Sequence, residues 1–121
     1  MAPPKIISLG EVLWDLFPEG EQFGGAPANF ACHAAVSGGT VTMVSSVGRD
    51  HRGQSALQIL QSYGVDVSQI QINTNAPTGS VGVLVNDEGK PTFTIHEGSA
   101  WDSINWTDEL EASVRNTDAL Y

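Results

Sequence analysis

The chain has 121 residues, 40% of them hydrophobic and 16% charged, which is enough apolar material for a core and excludes the disordered class. A chain of this length holds one domain or a piece of one, with no room for separate substrate and cofactor domains. Five Lys and Arg against fourteen Asp and Glu give a formal charge of −9, which repels phosphate backbones and anionic lipid alike, so neither nucleic acid nor a membrane is expected as a partner. The single cysteine cannot form an internal disulfide. The N-terminal MAPPKIISLG has no signal-peptide core, and no run approaches the roughly eighteen apolar residues of a membrane span. The expected compartment is the cytoplasm.

In chain order, Lys5 to Leu9 is a short apolar run stopped by Gly10, the pattern of a strand buried on both faces in a parallel sheet. Val12 to Phe17 predicts a second, more exposed strand ending at Pro18, followed by a loop rich in Gly and Glu. Pro27 suits a first helical turn, where its missing N–H has no partner to lose, and predicts a helix from Pro27 to about Ser37 closed by Gly38 and Gly39. Thr40 to Val47, rich in β-branched residues, predicts a strand. Asp50 then caps a helix running to Tyr63 and closed by Gly64, with Leu57, Ile59, Leu60 and Tyr63 as its apolar stripe.

Val81, Val83 and Val85 alternate with small or polar residues, as do Phe93 and Ile95, and Asn86 to Lys90 between them is a turn, which predicts a β-hairpin. Such a ribbon is marginal alone, so it must pack on a covered cleft or on a second subunit. Thr107 or Asp108 caps a last helix through about Arg115, and Asp118 to Tyr121 begins a further strand. Strands alternating with helices predict a mostly parallel α/β sheet flanked by helices, and the hairpin adds an antiparallel flap.

Three segments have residue types suited to chemistry. Gly48 to Ser55 nearly spells a phosphate loop, but Gln54 stands where such a loop needs Lys and Asp50 would put negative charge into it. The better reading is an Asp helix cap with Gly53 admitting close packing. Gly24-Gly25-Ala26-Pro27-Ala28-Asn29 is either a plain loop-to-helix joint or a place where a ligand approaches the backbone, with Asn29 able to donate to and accept from a polyol hydroxyl. Asp15, between Trp14 and Leu16, is either a solvated edge-strand residue or a carboxylate that accepts two vicinal sugar hydroxyls. His33, His51 and His96 have no metal-ligand spacing, so no metal site is expected, and Cys32 reads as a small buried residue. Trp14, Trp101 and Trp106 suit sugar stacking, although core or edge cover is the commoner role for such residues.

Gly24 to Ala31, followed by Gly38 and Gly48 at fixed spacings, resembles the first signature of the ribokinase-like (PfkB) carbohydrate kinases. GEVLWDLFPEG around Asp15 and SAWD at Ser99 to Asp102 are similar to the fructokinase branch, and the resemblance runs from Lys5 to Tyr121. It implies a ribokinase-like fold with a small β-sheet lid, the lid segments lying near residues 12–23 and 80–98, and a lid through which a homodimer can form. It places the substrate-binding residues at Asp15, Gly24, Gly25 and Asn29 and puts Phe93 and Ile95 on the lid. Ribokinases proper often carry Lys after the glycine pair, where this chain has Ala26, which favours a fructose-like sugar.

The resemblance also implies ATP and Mg²⁺ as requirements of the parent enzyme, with phosphate delivered to a sugar primary hydroxyl. The family's second signature, Asp-Thr-x-Gly-Ala-Gly-Asp with its catalytic base and anion hole, is not found in these residues, nor is an ATP pocket. The chain therefore reads as the N-terminal portion of such a kinase, with the catalytic base expected beyond Tyr121. The alternative is a non-catalytic module of the same ancestry that binds a sugar or a protein without turnover.

Overall fold

A computed structural model describes residues 2–121. The first sheet is wholly parallel. β1 (Lys5–Leu9) lies between β4 (Thr40–Gly48) and the short β8 (Ala119–Leu120), and β5 (Ile70–Asn73) closes the other side, in the order β5-β4-β1-β8. β4 carries the core: Val41, Met43, Val44 and Val47 are almost fully buried, the near-continuous apolar run that a strand covered on both faces requires.

α1 (Ala26–Val36) covers one face of this sheet. Ala28, Ala31 and Cys32 fall at i, i+3 and i+4 and are buried, so a stripe of small side chains lets the helix lie close to the strands. Pro27 stands in the first turn and its carbonyl accepts a 2.6 Å hydrogen bond from the buried Ser8 hydroxyl, which ties the start of the helix to β1. Burial pushes the Cys32 thiol up from its usual pKa, as expected of a packing residue.

α2 (His51–Ser62) follows β4 and is capped by Asp50, whose carboxylate accepts from the Gly53 N–H at 2.8 Å. Its buried stripe is Gly53, Ala56 and Leu60 with Leu57 half-buried. Tyr63, expected in that stripe, is 49% exposed because it lies beyond the last turn, and Leu60 with the small Ala56 and Gly53 makes the contact instead. α3 (Asp108–Arg115) is capped by Thr107, which accepts from the Leu110 N–H, and sets Leu110 against Ile7 and Val44 on the opposite face of the sheet.

A second sheet has the order β3-β2-β6-β7. β2 (Leu13–Phe17) pairs antiparallel with β3 (Gly20–Gly24) and parallel with β6 (Gly79–Val85), which turns back through Asn86 to Lys90 into β7 (Pro91–Ile95). The expected Gly- and Glu-rich loop after Pro18 is thus largely a strand. Its residues Gly-Glu-Gln-Phe-Gly are depleted in strand formers, and pairing with β2, not propensity, holds them extended. β5 was likewise not expected as a strand. The hairpin forms with the expected bounds, and the two segments expected to build a lid share this one sheet. A 3₁₀ turn, Ala100–Ser103, lies against β4. Among the described residues no helix is long and apolar enough to cross a membrane.

Candidate functional site

The strand register sorts the second sheet into two faces, because residues directly paired on neighbouring strands point the same way. Asp15 pairs with Gln22 on β3 and with Val81 on β6, and Val81 pairs with Ile95 on β7. Gln22, Asp15, Val81 and Ile95 therefore form one row across the sheet. Phe93, paired with Val83, follows on the same face. Phe93 and Ile95 are 61% and 63% exposed, an uncovered apolar margin two strands away from the carboxylate. The opposite face carries Trp14 and Phe23, a direct pair whose rings meet edge to face with centroids 5.8 Å apart.

Asp15 is half-buried, and its carboxylate makes no hydrogen bond to another described residue. It stands over Gly24, where an added Cβ would come within 2.6 Å of Asp15 Oδ2. Any larger residue at 24 would have to displace the Asp15 carboxylate from this position. Gly25 is the N-cap of α1 with φ of 101°, a conformation that favours glycine, and an added Cβ there would also meet the Glu11 carbonyl oxygen at 2.7 Å. The two glycines thus serve different ends: the first makes room for Asp15, and the second turns the chain into the helix. Asn29 lies in the first turn of α1, its N–H donating to the Gly25 carbonyl at 2.9 Å and its side chain exposed.

Gln22 was missed by sequence reasoning, because its segment reads as a loop. The signal available was the Gly20–Gly24 spacing itself, five residues that match β2 residue for residue once a two-residue turn is placed at Pro18 and Glu19. The tryptophans stand otherwise than sugar stacking requires. The Trp14 indole donates to the Arg52 carbonyl at 3.0 Å on the face away from Asp15, and the Trp101 ring lies where a Cβ on Gly79 would be, 2.5 Å from Cδ1. Trp106 borders an apolar recess of 520 Å³ between β1, β8 and α3, together with Leu9, Val44, Leu110 and Val114. That recess is hydrocarbon with almost nothing to orient a polar ligand.

The Gly48 to Ser55 turn does not fit a phosphate group. Asp50 Oδ1 accepts from the Gly53 N–H and from the Thr78 hydroxyl at 2.6 Å, and Oδ2 accepts from the Thr78 N–H at 2.9 Å. The Thr78 hydroxyl oxygen in turn accepts from the Gly48 N–H at 2.9 Å. A carboxylate already fills the anion position, and partial burial, which alone would push its pKa up, is outweighed by the hydrogen bonds from Thr78 and Gly53 that hold it below the usual range. Among the described residues no three His, Cys, Asp or Glu side chains converge as a metal set would require.

A parallel sheet flanked by helices and joined to a second, four-stranded sheet is the architecture of the ribokinase-like kinases. Residues 16–121 match the pfkB family carbohydrate kinases, and the chain belongs to that family. It is 38% identical to the fructokinase of Salmonella typhimurium over 96 residues, 75% of this chain and 31% of that protein. The fold is similar to the apo crystal structure of fructokinase from Vibrio cholerae O395, with a TM-score of 0.78 and 28% identity over 84% of this chain and 37% of that one. It is also similar to the form of the same enzyme with bound fructose, ADP and calcium ion, with a TM-score of 0.71 and 27% identity over 84% and 35% of the two chains. The chain thus spans about a third of the length of the relatives it matches.

Proposed function

We propose that these residues form the sugar-binding part of an ATP-dependent carbohydrate kinase that phosphorylates a primary hydroxyl of a fructose-like sugar. The observation that carries this reading is the Asp15 carboxylate, half-buried, without a hydrogen-bond partner among the described residues and cleared of steric obstruction by Gly24. A carboxylate left free in such a setting is suited to accepting two neighbouring hydroxyls, and a neutral polyol is a ligand that a chain of charge −9 does not repel. The β2–β3 ribbon and the β6–β7 hairpin act as a lid, with Gln22, Asp15 and Ile95 on its sugar-facing side and Phe93 at the margin. Support for fructose comes from the relatives, several of which are fructokinases, and from Ala26 in the place where ribokinases often carry Lys.

Residues of this chain bind and orient the sugar and shield it from water. Phosphoryl transfer further requires a base on the acceptor hydroxyl and positive charge on the transferring group. In this reading the base, ATP and Mg²⁺ belong to the part of the relatives' length that these residues do not span, and no step is routed through the Gly48 turn, which does not fit a phosphate.

The test is a coupled ADP-release assay on the whole protein against fructose, ribose, 2-keto-3-deoxygluconate and adenosine. Fructose is expected to have the highest kcat/KM. Turnover with adenosine alone would overturn the sugar assignment, and sugar binding without turnover would return the non-catalytic alternative. Asn29→Ala is expected to raise the sugar KM while leaving the KM for ATP nearly unchanged, since the helix start faces the sugar. A rise confined to ATP would place the nucleotide there instead.

A further inference from the structure

On the face of the second sheet that points away from Asp15, where Phe23 packs against the core, Arg52 of α2 makes two polar attachments. Its guanidinium forms a two-pronged ion pair with Glu21 on β3, Nη2 to Oε1 at 2.5 Å and Nε to Oε2 at 3.2 Å. Its backbone carbonyl accepts from the Trp14 indole on β2 at 3.0 Å. Leu16 pairs with Glu21 and Trp14 with Phe23, so both attachments are on one face of the β2–β3 ribbon, and Asp15 stands between Trp14 and Leu16 pointing the other way. We propose that Arg52 and Glu21 are positioning residues, a latch that sets the tilt of the β2–β3 ribbon and through it holds the Asp15 carboxylate where it can receive the sugar.

A two-stranded ribbon is weak in isolation and takes its orientation from what it is fastened to. Here one edge of β2 is paired with β6, and the free edge of the sheet, β3, is fastened by Glu21. Phe23 and the passage of β3 into α1 anchor the far end of the ribbon, and the ion pair restrains the end beside the Pro18–Glu19 turn, so losing it frees β2 and β3 to tilt and to carry Asp15 with them. The Trp14 indole donates to the Arg52 backbone carbonyl and so keeps its acceptor in any Arg52 or Glu21 variant, which makes the ion pair the part of the latch that can be removed cleanly. Hydrogen bonding from Arg52 also holds the Glu21 carboxyl below the usual range, in keeping with a formed pair. Because the pair is exposed to solvent, 37% on the Arg52 side chain and 45% on Glu21, salt should loosen it.

A loosened latch lowers the fraction of molecules with Asp15 in place, which weakens apparent sugar affinity by that fraction and leaves the saturated enzyme unaltered. The inference rests on the reading of Asp15 as the sugar clamp, and its test separates the two. Glu21→Gln, Arg52→Met and the double variant are made in the whole protein. Amide exchange over Leu13 to Gly24 is measured without sugar, and sugar KM and kcat are measured at about 50 and about 500 mM salt. Each single variant is expected to speed exchange in the ribbon and raise the sugar KM about two- to fivefold at low salt, with kcat unchanged. The double variant should be no worse than either single one, and the salt dependence of KM seen in the wild type should vanish. Unchanged exchange, effects that multiply in the double variant, or equal losses in kcat would overturn the latch. Faster exchange with an unchanged KM, beside an Asp15→Ala variant that has lost sugar affinity, would overturn the positioning role alone. An Asp15→Ala variant with unchanged sugar KM would overturn the clamp, and the positioning role with it.

Discussion

Asp15→Ala in the whole protein is expected to raise the KM for the accepted sugar by about tenfold or more, because a lost pair of charge-assisted hydroxyl contacts is worth roughly 1.5 to 3 kcal/mol. The variant should fold normally. Asp15 is half-buried and makes no hydrogen bond to another described residue, so its removal leaves no partner unsatisfied. Stability and affinity are therefore separable at this position, which is unusual for a half-buried carboxylate. Asp15→Asn gives a finer reading: it keeps the shape, loses the charge and one acceptor, and should fall between wild type and Ala. The KM values come from the coupled assay and the folding control from a thermal melt. An unchanged KM for every sugar tested would mean that the carboxylate is a solvated strand residue.

Much of this arrangement was legible in the sequence wherever a local rule and the tertiary environment agree. Gly10 stops β1, Asp50 and Thr107 cap α2 and α3 by accepting from Gly53 and Leu110, and the turn at Asn86 to Lys90 sits between strands of alternating pattern. What was not legible depends on a partner distant in the chain. β3 is a strand only because β2 offers it an edge, since four of its five residues are Gly, Glu or Gln. Gln22, Glu21 and the latch to Arg52 were lost with it. Tyr63 continues the apolar period of α2 but lies past the end of the helix, whereas Gly53 and Ala56, which carry little hydrophobic signal, are buried against the sheet. Phe93 and Ile95 alternate as core residues do and yet stand exposed, because β7 is an edge strand, whereas Val81 and Val83 on the same face of the neighbouring β6 are buried. The resemblance singled out Asp15, while its position, with the carboxylate in the space a Gly24 side chain would take, required the register of β2 on β3.

The Asp50 network should dominate stability as Asp15 should dominate affinity. Gly53→Ala is expected to be the more severe change, because a methyl group there would overlap the Gly48 carbonyl oxygen and approach Thr78 Oγ1 within 2.9 Å and Asp50 Oδ1 within 3.2 Å. The methyl meets backbone, which cannot swing away as a flexible side chain could. Overpacking of this kind costs about 1 to 3 kcal/mol and the disturbed cap about 1 more, so a fall in Tm of several degrees is expected. Asp50→Asn is the electrostatic counterpart. Burial raises the Asp50 carboxyl, but the Thr78 and Gly53 hydrogen bonds outweigh it and leave the folded pKa below the unfolded value of about 3.9. Between those two values the unfolded chain binds the additional proton, so the stabilisation is complete above the unfolded pKa and is lost as pH falls through the folded one. Wild type should thus lose stability below about pH 4 more steeply than Asp50→Asn. Glu21 is also held low by Arg52 and titrates in the same direction, but it is exposed, and high salt should suppress its share and leave that of Asp50. Urea melts across the acid range at low and high salt measure both contributions. Parallel acid limbs for wild type and Asp50→Asn at high salt would show that the cap is held as firmly by a neutral amide as by a carboxylate.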